Sequence, residues 1–127
     1  MNFRNFFLIL SALIFASCAT KPIAIPADLT PAELVQRAQE SSDRSRYGVS
    51  LQYYDAILER FPYDMEYVCT AEYEISFIHY KQKKYELAKT GFNALLERYN
   101  TPDEELLPPH FKILANKILG AIADKEN

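Results

Sequence analysis

Glycine, histidine and cysteine are scarce in this chain of 127 residues. The three glycines, Gly48, Gly91 and Gly120, each stand alone. The sequence therefore has no phosphate-cradling loop and no dinucleotide fingerprint. No nucleophile motif is recognisable, so the chain reads as a non-enzyme without a cofactor. Its two histidines, His79 and His110, are far apart, and metal binding needs clustered His, Cys or carboxylate ligands. No metal is expected. Glu72 and His79 are spaced to share one helix face, which allows a carboxylate–imidazole hydrogen bond, although solvated residues are the plainer reading. An excess of positive charge is missing too. The formal net charge is −3, and Arg4 lies in an N-terminal stretch read below as a cleaved signal. Nucleic acid is accordingly not expected as a partner. The basic stretch KQKK at 81–84 reads as a solvated helix end whose lysines complement the helix dipole.

What the chain does have is apolar periodicity at helical spacing. Tyr85, Ala88, Phe92, Leu95, Leu96 and Tyr99 step by three and four and build one helix face. Upstream, Ile75 and Ile78, with the small Ala71 and Ser76, offer it an antiparallel neighbour, and the intervening KQKKY is long enough only to turn the chain. Five helices and no sheet are predicted, at about 31–42, 47–61, 65–81, 85–99 and 109–125. Thr30-Pro31-Ala32-Glu33 supplies a hydroxyl at the N-cap, Pro at N1 and Glu at N3. Pro62 stops the second helix and Asp64 is placed to cap the third. Thr101-Pro102-Asp103-Glu104 repeats the start pattern, but Pro108 and Pro109 interrupt it, and on the last helix Phe111, Leu114, Ala115, Ile118, Leu119 and Ile122 form a stripe.

The text also repeats itself. Tyr47, Ser50, Tyr54, Ile57 and Phe61 precede Tyr85, Ala88, Phe92, Leu95 and Tyr99 by one fixed offset, and YYDAILERFP echoes GFNALLERYN. With its small–aromatic–Ala–Phe series, HYKQKKYELAKTGF resembles the second half of a tetratricopeptide repeat, and the first copy closes with Pro62 as that motif expects. Departures are Glu72 and His79 at usually bulky apolar places, Ser50 for Ala and Asn100 for the closing Pro. The resemblance implies an all-α fold over residues 30–127: a short solenoid of two helical hairpins with a C-terminal capping helix, the last element closing an apolar face that stacked repeats leave open.

At the N-terminus, one positive charge precedes the apolar run FFLILSALIF and the small residues Ala16 and Ser17. This is signal-peptide anatomy over residues 1–17, and its apolar run of ten residues is too short for a span that takes about 20. The tetrapeptide FASC resembles the lipobox of bacterial lipoproteins, which implies that Cys18 receives a covalent, palmitate-type lipid and becomes the mature N-terminus. Ala19 is not the Asp associated with inner-membrane retention, which favours an outer-membrane, periplasm-facing location. With Cys18 lipidated, Cys69 is left alone, either a reactive thiol at a helix start or, more simply, a half-buried filler, and no internal disulfide is available. Residues 18–29 carry Pro22 and Pro26 and read as an extended tether, or, since Ile23, Ile25 and Leu29 are apolar, as a stretch that packs along the domain.

In tetratricopeptide arrays the first helix of each hairpin lines the inner groove. The resemblance thus implies a partner-binding face of Gln39 and Asp43 from the first repeat and Tyr73, Phe77, Tyr80 and Lys81 from the second. Either that aromatic face is an open groove, or the C-terminal helix covers it as core. The expected function is a membrane-anchored scaffold for an envelope protein partner, similar in arrangement to the longer BamD-type lipoproteins of outer-membrane assembly. The alternatives are a small-molecule-binding accessory subunit of a transporter, with a deep cavity lined by Tyr73, Phe77 and Tyr80, and self-association through the solenoid ends. The anchoring expectation is checked by mass spectrometry of the protein from cell membranes. The N-terminal peptide should begin at Cys18 and carry diacylglyceryl mass, and an unmodified Cys18 refutes it.

Overall fold

A computed structural model describes residues 20–127; the signal segment, Cys18 and Ala19 lie outside the described residues. Among the described residues five α-helices follow in order: α1 Pro31–Asp43, α2 Tyr47–Arg60, α3 Met65–Lys81, α4 Tyr85–Arg98 and α5 Pro109–Glu126, with a 3-10 turn at Glu104–Leu106. Among the described residues there is no strand. The all-helical expectation therefore holds, with helix ends within about two residues of those predicted from caps and periodicity.

Local signals explain most boundaries. Thr30 and Glu33 form the expected capping box, the Thr30 hydroxyl accepting from the Glu33 amide at 3.3 Å while the Thr30 amide donates to Glu33 Oε2 at 2.8 Å. These bonds hold the Glu33 carboxyl below its ordinary range. Asp64 occupies the N-cap of α3 but its side chain makes no capping bond, so that expectation is corrected. The start pattern at Thr101 opens no long helix, as the interruption by Pro108 and Pro109 implies. The Thr101 hydroxyl turns back to the Arg98 carbonyl (2.9 Å), and only the short 3-10 turn forms before Pro108.

The two hairpin turns are built alike. Ser45 and Lys83 are both left-handed (φ 57° and 60°), and in both turns the next amide donates back across the turn: Arg46 to Ser41 O at 2.8 Å, Lys84 to His79 O at 2.9 Å. Because a non-glycine residue is disfavoured in this region, its use at equivalent places in both copies is a shared solution to the same tight turn.

Helix α1 packs on α2, α3 on α4, α2 on α3, and α5 on both α4 and α3. The core divides into two clusters, and α3 contributes to each. Ala71 and Ile78, with Ile75 beside them, pack into the first hairpin with Leu34, Ala38, Tyr54 and Ile57. Cys69 and Tyr73 pack with Phe92, Leu95, Phe111 and Ile122. This reverses the expected pairing. The Ile75–Ile78 side faces the preceding hairpin, and α3 meets α4 through its aromatic side and Ser76. Periodicity identified two apolar faces on α3 but not which neighbour each would meet. Close approach of α3 and α4 depends on Gly91, where an added Cβ would lie 2.2 Å from Ser76 Oγ.

Residues 20–29 are not a free spacer. Gln52 on α2 accepts from the Ile23 amide (2.8 Å) and donates to Lys21 O (3.1 Å). Arg60 donates to Pro26 O (2.7 Å) and Ile25 O (3.0 Å), and Leu29 is buried. Of the two readings of this stretch, packing along the domain is the one found from Thr20 onward. Expected stripe residues on α5 behave as predicted: Phe111, Ala115 and Ile122 are buried, and Lys112, Asn116, Lys117 and Asp124 are exposed. Phe92 is fully buried with its ring 5.6 Å from that of Tyr73. Phe92→Ala should lower stability by about 3–5 kcal/mol, measured as a shift in urea midpoint. A loss below ~1 kcal/mol would show that the second cluster is not a packed core.

Candidate functional site

The candidate partner face lies where α1 and α3 run side by side. Lys81 holds it together. At the end of α3, its ammonium donates to Ser42 Oγ at 2.7 Å and stands over the rings of Tyr47 (5.2 Å) and Phe77 (5.1 Å). Each cation–π contact contributes on the order of 0.5–1 kcal/mol at such exposure. Lys81 was expected as a free contact residue. The structure gives it the further role of joining the two hairpins.

The expected face divides at Tyr73. That ring is 7% exposed, 5.6 Å from Phe92 and 5.4 Å from Phe111 of α5. The C-terminal helix covers it, and Tyr73 is core rather than groove. Phe77 and Tyr80 continue the aromatic series, stacked at 5.9 Å spacing on Tyr73 and on each other, with Tyr85 of α4 6.0 Å beyond, and both remain half-buried. Gln39 and Asp43 on α1 are exposed. The surface left open is therefore a strip of Gln39, Asp43, Phe77, Tyr80 and Lys81.

One residue of this strip was missed from the sequence. Glu74 lies one turn before Phe77 and two before Lys81 on α3 and is half-buried; burial pushes its carboxyl up, with Lys81 pulling in the opposite direction. Its spacing to Phe77 and Lys81 would have placed it on the same face. Beneath lies the Tyr54 hydroxyl, fully buried without a hydrogen-bond partner, whose ionisation is pushed far up by burial and by the carboxylates of Glu74 and Asp43. Such a group contributes polarity without charge.

Elsewhere, Glu72 does not reach His79. It takes a bidentate pair from Arg98 of α4, at 2.6 and 2.8 Å. The His79 ring has Nδ1 buried and without a partner, and burial, then Lys84, push its pKa down. Cys69 is fully buried rather than half-buried, and burial pushes its thiol up, which fits the filler reading and not a reactive thiolate. The Tyr99 hydroxyl donates to Pro108 O at 2.6 Å, pinning the connection to α5. Among the described residues no three His, Cys, Asp or Glu side chains gather as metal ligands.

Among the described residues, two clefts away from the strip are large enough to note. One, of about 320 Å³, is lined by Met65, Arg98, Thr101, Asp103, Leu106 and Leu107. The other, of about 180 Å³, is lined chiefly by Arg37, Arg44, Arg46 and Tyr53. Neither touches Tyr73, Phe77 or Tyr80, whose rings are stacked in series at 5.9 Å spacing.

A protein of Treponema pallidum (strain Nichols), described only as an uncharacterized protein, is 33% identical over 107 residues. The match takes in 83% of this chain but only 43% of that relative's length. No protein-family model matches the chain, and no solved structure does.

The strip thus presents aromatic area, one half-buried carboxyl and exposed amide and carboxylate groups. Because the Glu74 pKa is raised in the fold, protonation favours the folded state. The corresponding stability is present below the ordinary carboxylate pKa of 4.5 and lost as pH rises through the raised value. Glu74→Gln should therefore stabilise the domain at pH 7, with the gain shrinking toward pH 4. Urea melts at the two pH values check this, and a Gln variant less stable at pH 7 than at pH 4 relative to wild type would contradict it.

Proposed function

We propose that this protein is a lipid-anchored, periplasm-facing envelope lipoprotein whose two tetratricopeptide-like hairpins hold a protein partner. The outer membrane is favoured over the inner, and outer-membrane assembly is the process its arrangement most resembles. What supports the repeat reading is the duplicated text together with two hairpin turns of the same construction at Ser45 and Lys83. No described helix is long and apolar enough to cross a membrane, so membrane attachment in this reading falls to the lipid on Cys18.

The single observation that carries the docking role is the open strip between α1 and α3. Phe77 and Tyr80 are half-exposed there beside exposed Gln39, Asp43 and Lys81. Aromatic rings with a polar border on a first-helix face have the composition of a protein-recognition surface. The strip performs no chemistry.

A second reading, a small-molecule-binding accessory subunit, has the 320 Å³ cleft in its favour, with apolar Leu106 and Leu107 beside Arg98 and Asp103. The two readings separate by photo-crosslinking in intact cells with a crosslinker at Gln39 and, separately, at Asp103. The docking role predicts a discrete protein adduct from Gln39 that drops at least tenfold in the Phe77→Ala/Tyr80→Ala background, with none from Asp103. No adduct at Gln39, or one indifferent to that double substitution, overturns it.

A further inference from the structure

Charge is sorted along the helices. The hairpin turns at 44–46 and 82–84 lie on one edge, because Lys81 at the end of α3 reaches Ser42 at the end of α1. That edge exposes Arg44, Arg46, Lys83 and Lys84. Among the described residues none of these four side chains has a hydrogen-bond or carboxylate partner, whereas Lys89, Arg98 and Lys112 are all paired. Arg37 joins Arg44 and Arg46 around the 180 Å³ cleft, with Glu40 and Tyr53 also in its wall, so three positive charges there face one negative. Against them stand Glu40 and Asp43 on α1, Glu86, and, because α5 ends on this edge, Asp124 and Glu126; Glu86 and Glu126 are both bound to Lys89, at 2.6 and 2.8 Å, and Lys125 adds one further positive charge. The opposite edge, where α2 passes to α3 and α4 to α5, exposes Glu59, Asp64, Glu66, Glu97 and Glu105. A modest net charge of −3 therefore conceals a basic edge and an acidic one.

The path of residues 20–26 says which surface the basic edge meets. This segment runs back along α2, from Arg60 (bonded to Pro26 and Ile25) through Gln52 (bonded to Ile23 and Lys21) to Gly48. At Gly48 the contact is so close that an added Cβ would lie 1.9 Å from Thr20 Oγ1. Gly48 stands two residues from Arg46, so Thr20 ends on the basic edge. Cys18 is two residues earlier in sequence, a covalent reach of no more than about 7 Å. That distance lies within one Debye length, about 8 Å at physiological ionic strength.

We propose that the edge formed by Arg37, Arg44, Arg46, Lys83 and Lys84 docks on anionic phospholipid headgroups, so that the domain stands with its hairpin turns on the bilayer and its acidic edge outward. This rests on the anchored reading of Cys18 and adds an orientation to it. A lipid alone would hold the domain near the membrane without fixing how it sits. Each Lys or Arg brought to an anionic surface contributes about fivefold in partitioning, enough for a few such groups to select one orientation. The α1–α3 strip then runs outward from the bilayer, its Lys81 end lowest.

The test uses the full chain purified from membranes and reconstituted in vesicles of phosphatidylcholine, with or without about 30% phosphatidylglycerol. A fluorophore is placed at Leu87→Cys on the basic edge or Leu106→Cys on the acidic edge, both exposed positions, and is quenched by headgroup-labelled lipid. In anionic vesicles the Leu87 label should be quenched at least threefold more than the Leu106 label. The difference should vanish in neutral vesicles and in the Arg44→Gln/Arg46→Gln/Lys83→Gln/Lys84→Gln variant, whose fold is checked by circular dichroism. Equal quenching at both positions in anionic vesicles, or a difference untouched by the four substitutions, overturns the proposal, and an acidic protein segment as the true occupant would give that result. Anchoring is read separately, as retention of the chain on neutral vesicles. If retention is no greater than for Cys18→Ala, the anchor fails, and the preference of the Cys18→Ala chain for anionic over neutral vesicles, expected to exceed tenfold, still reports on the edge.

Discussion

Helix α3 is buried on two sides, and the remaining helices take their positions from it. Its Ala71–Ile78 side closes the first hairpin and its Cys69–Tyr73 side enters the second cluster. A helix apolar on both faces cannot be stable at the surface of a lone hairpin. It needs a hairpin before it, supplied by α1 and α2, and cover after it, supplied by α4 and α5. The half-buried Glu72–Arg98 pair and the Ser76–Gly91 approach then fix how α4 lies against it. With its core split in two and no disulfide among the described residues, the domain holds by packing around this one element.

The same wedge decides what is left for recognition. Covering the C-terminal side of α3 takes Tyr73 out of reach, and the aromatic series emerges only at Phe77 and Tyr80. Lys81 ends that series by bridging to Ser42 and Tyr47, so the border of the strip is also the joint between hairpins. Core and exposed strip fall on adjacent turns of one helix. In such an arrangement a substitution at Lys81 would disturb both, whereas Gln39 and Asp43 answer for the surface alone.

Strapping residues 20–29 along α2 couples the start of the described chain to the fold. A loose tether would let the domain sample a volume above the bilayer. A docked one delivers the chain end to a defined corner, beside the unpaired arginines of the first hairpin turn. Local sequence and distant packing thus combine into a single frame in which the basic edge, the α1–α3 strip and the acidic edge have fixed relative positions.

Helix positions were legible in the sequence because they depend on neighbouring residues: the Thr30–Glu33 box, Pro62 and Pro109, and three-and-four stepping on α4 and α5 all act within a turn or two. The lipobox-like FASC is likewise a local text. The side of α3 that meets each hairpin was not legible, since two apolar faces present the same periodicity whichever neighbour they touch. Nor could spacing tell that Asp64 would leave its capping bond unmade, that Glu72 would choose Arg98 over His79, or that KQKK would stand beside Arg44 and Arg46. The last two outcomes join residues tens of positions apart, and only the packed tertiary structure brings them within the few ångströms over which hydrogen bonds and charges act.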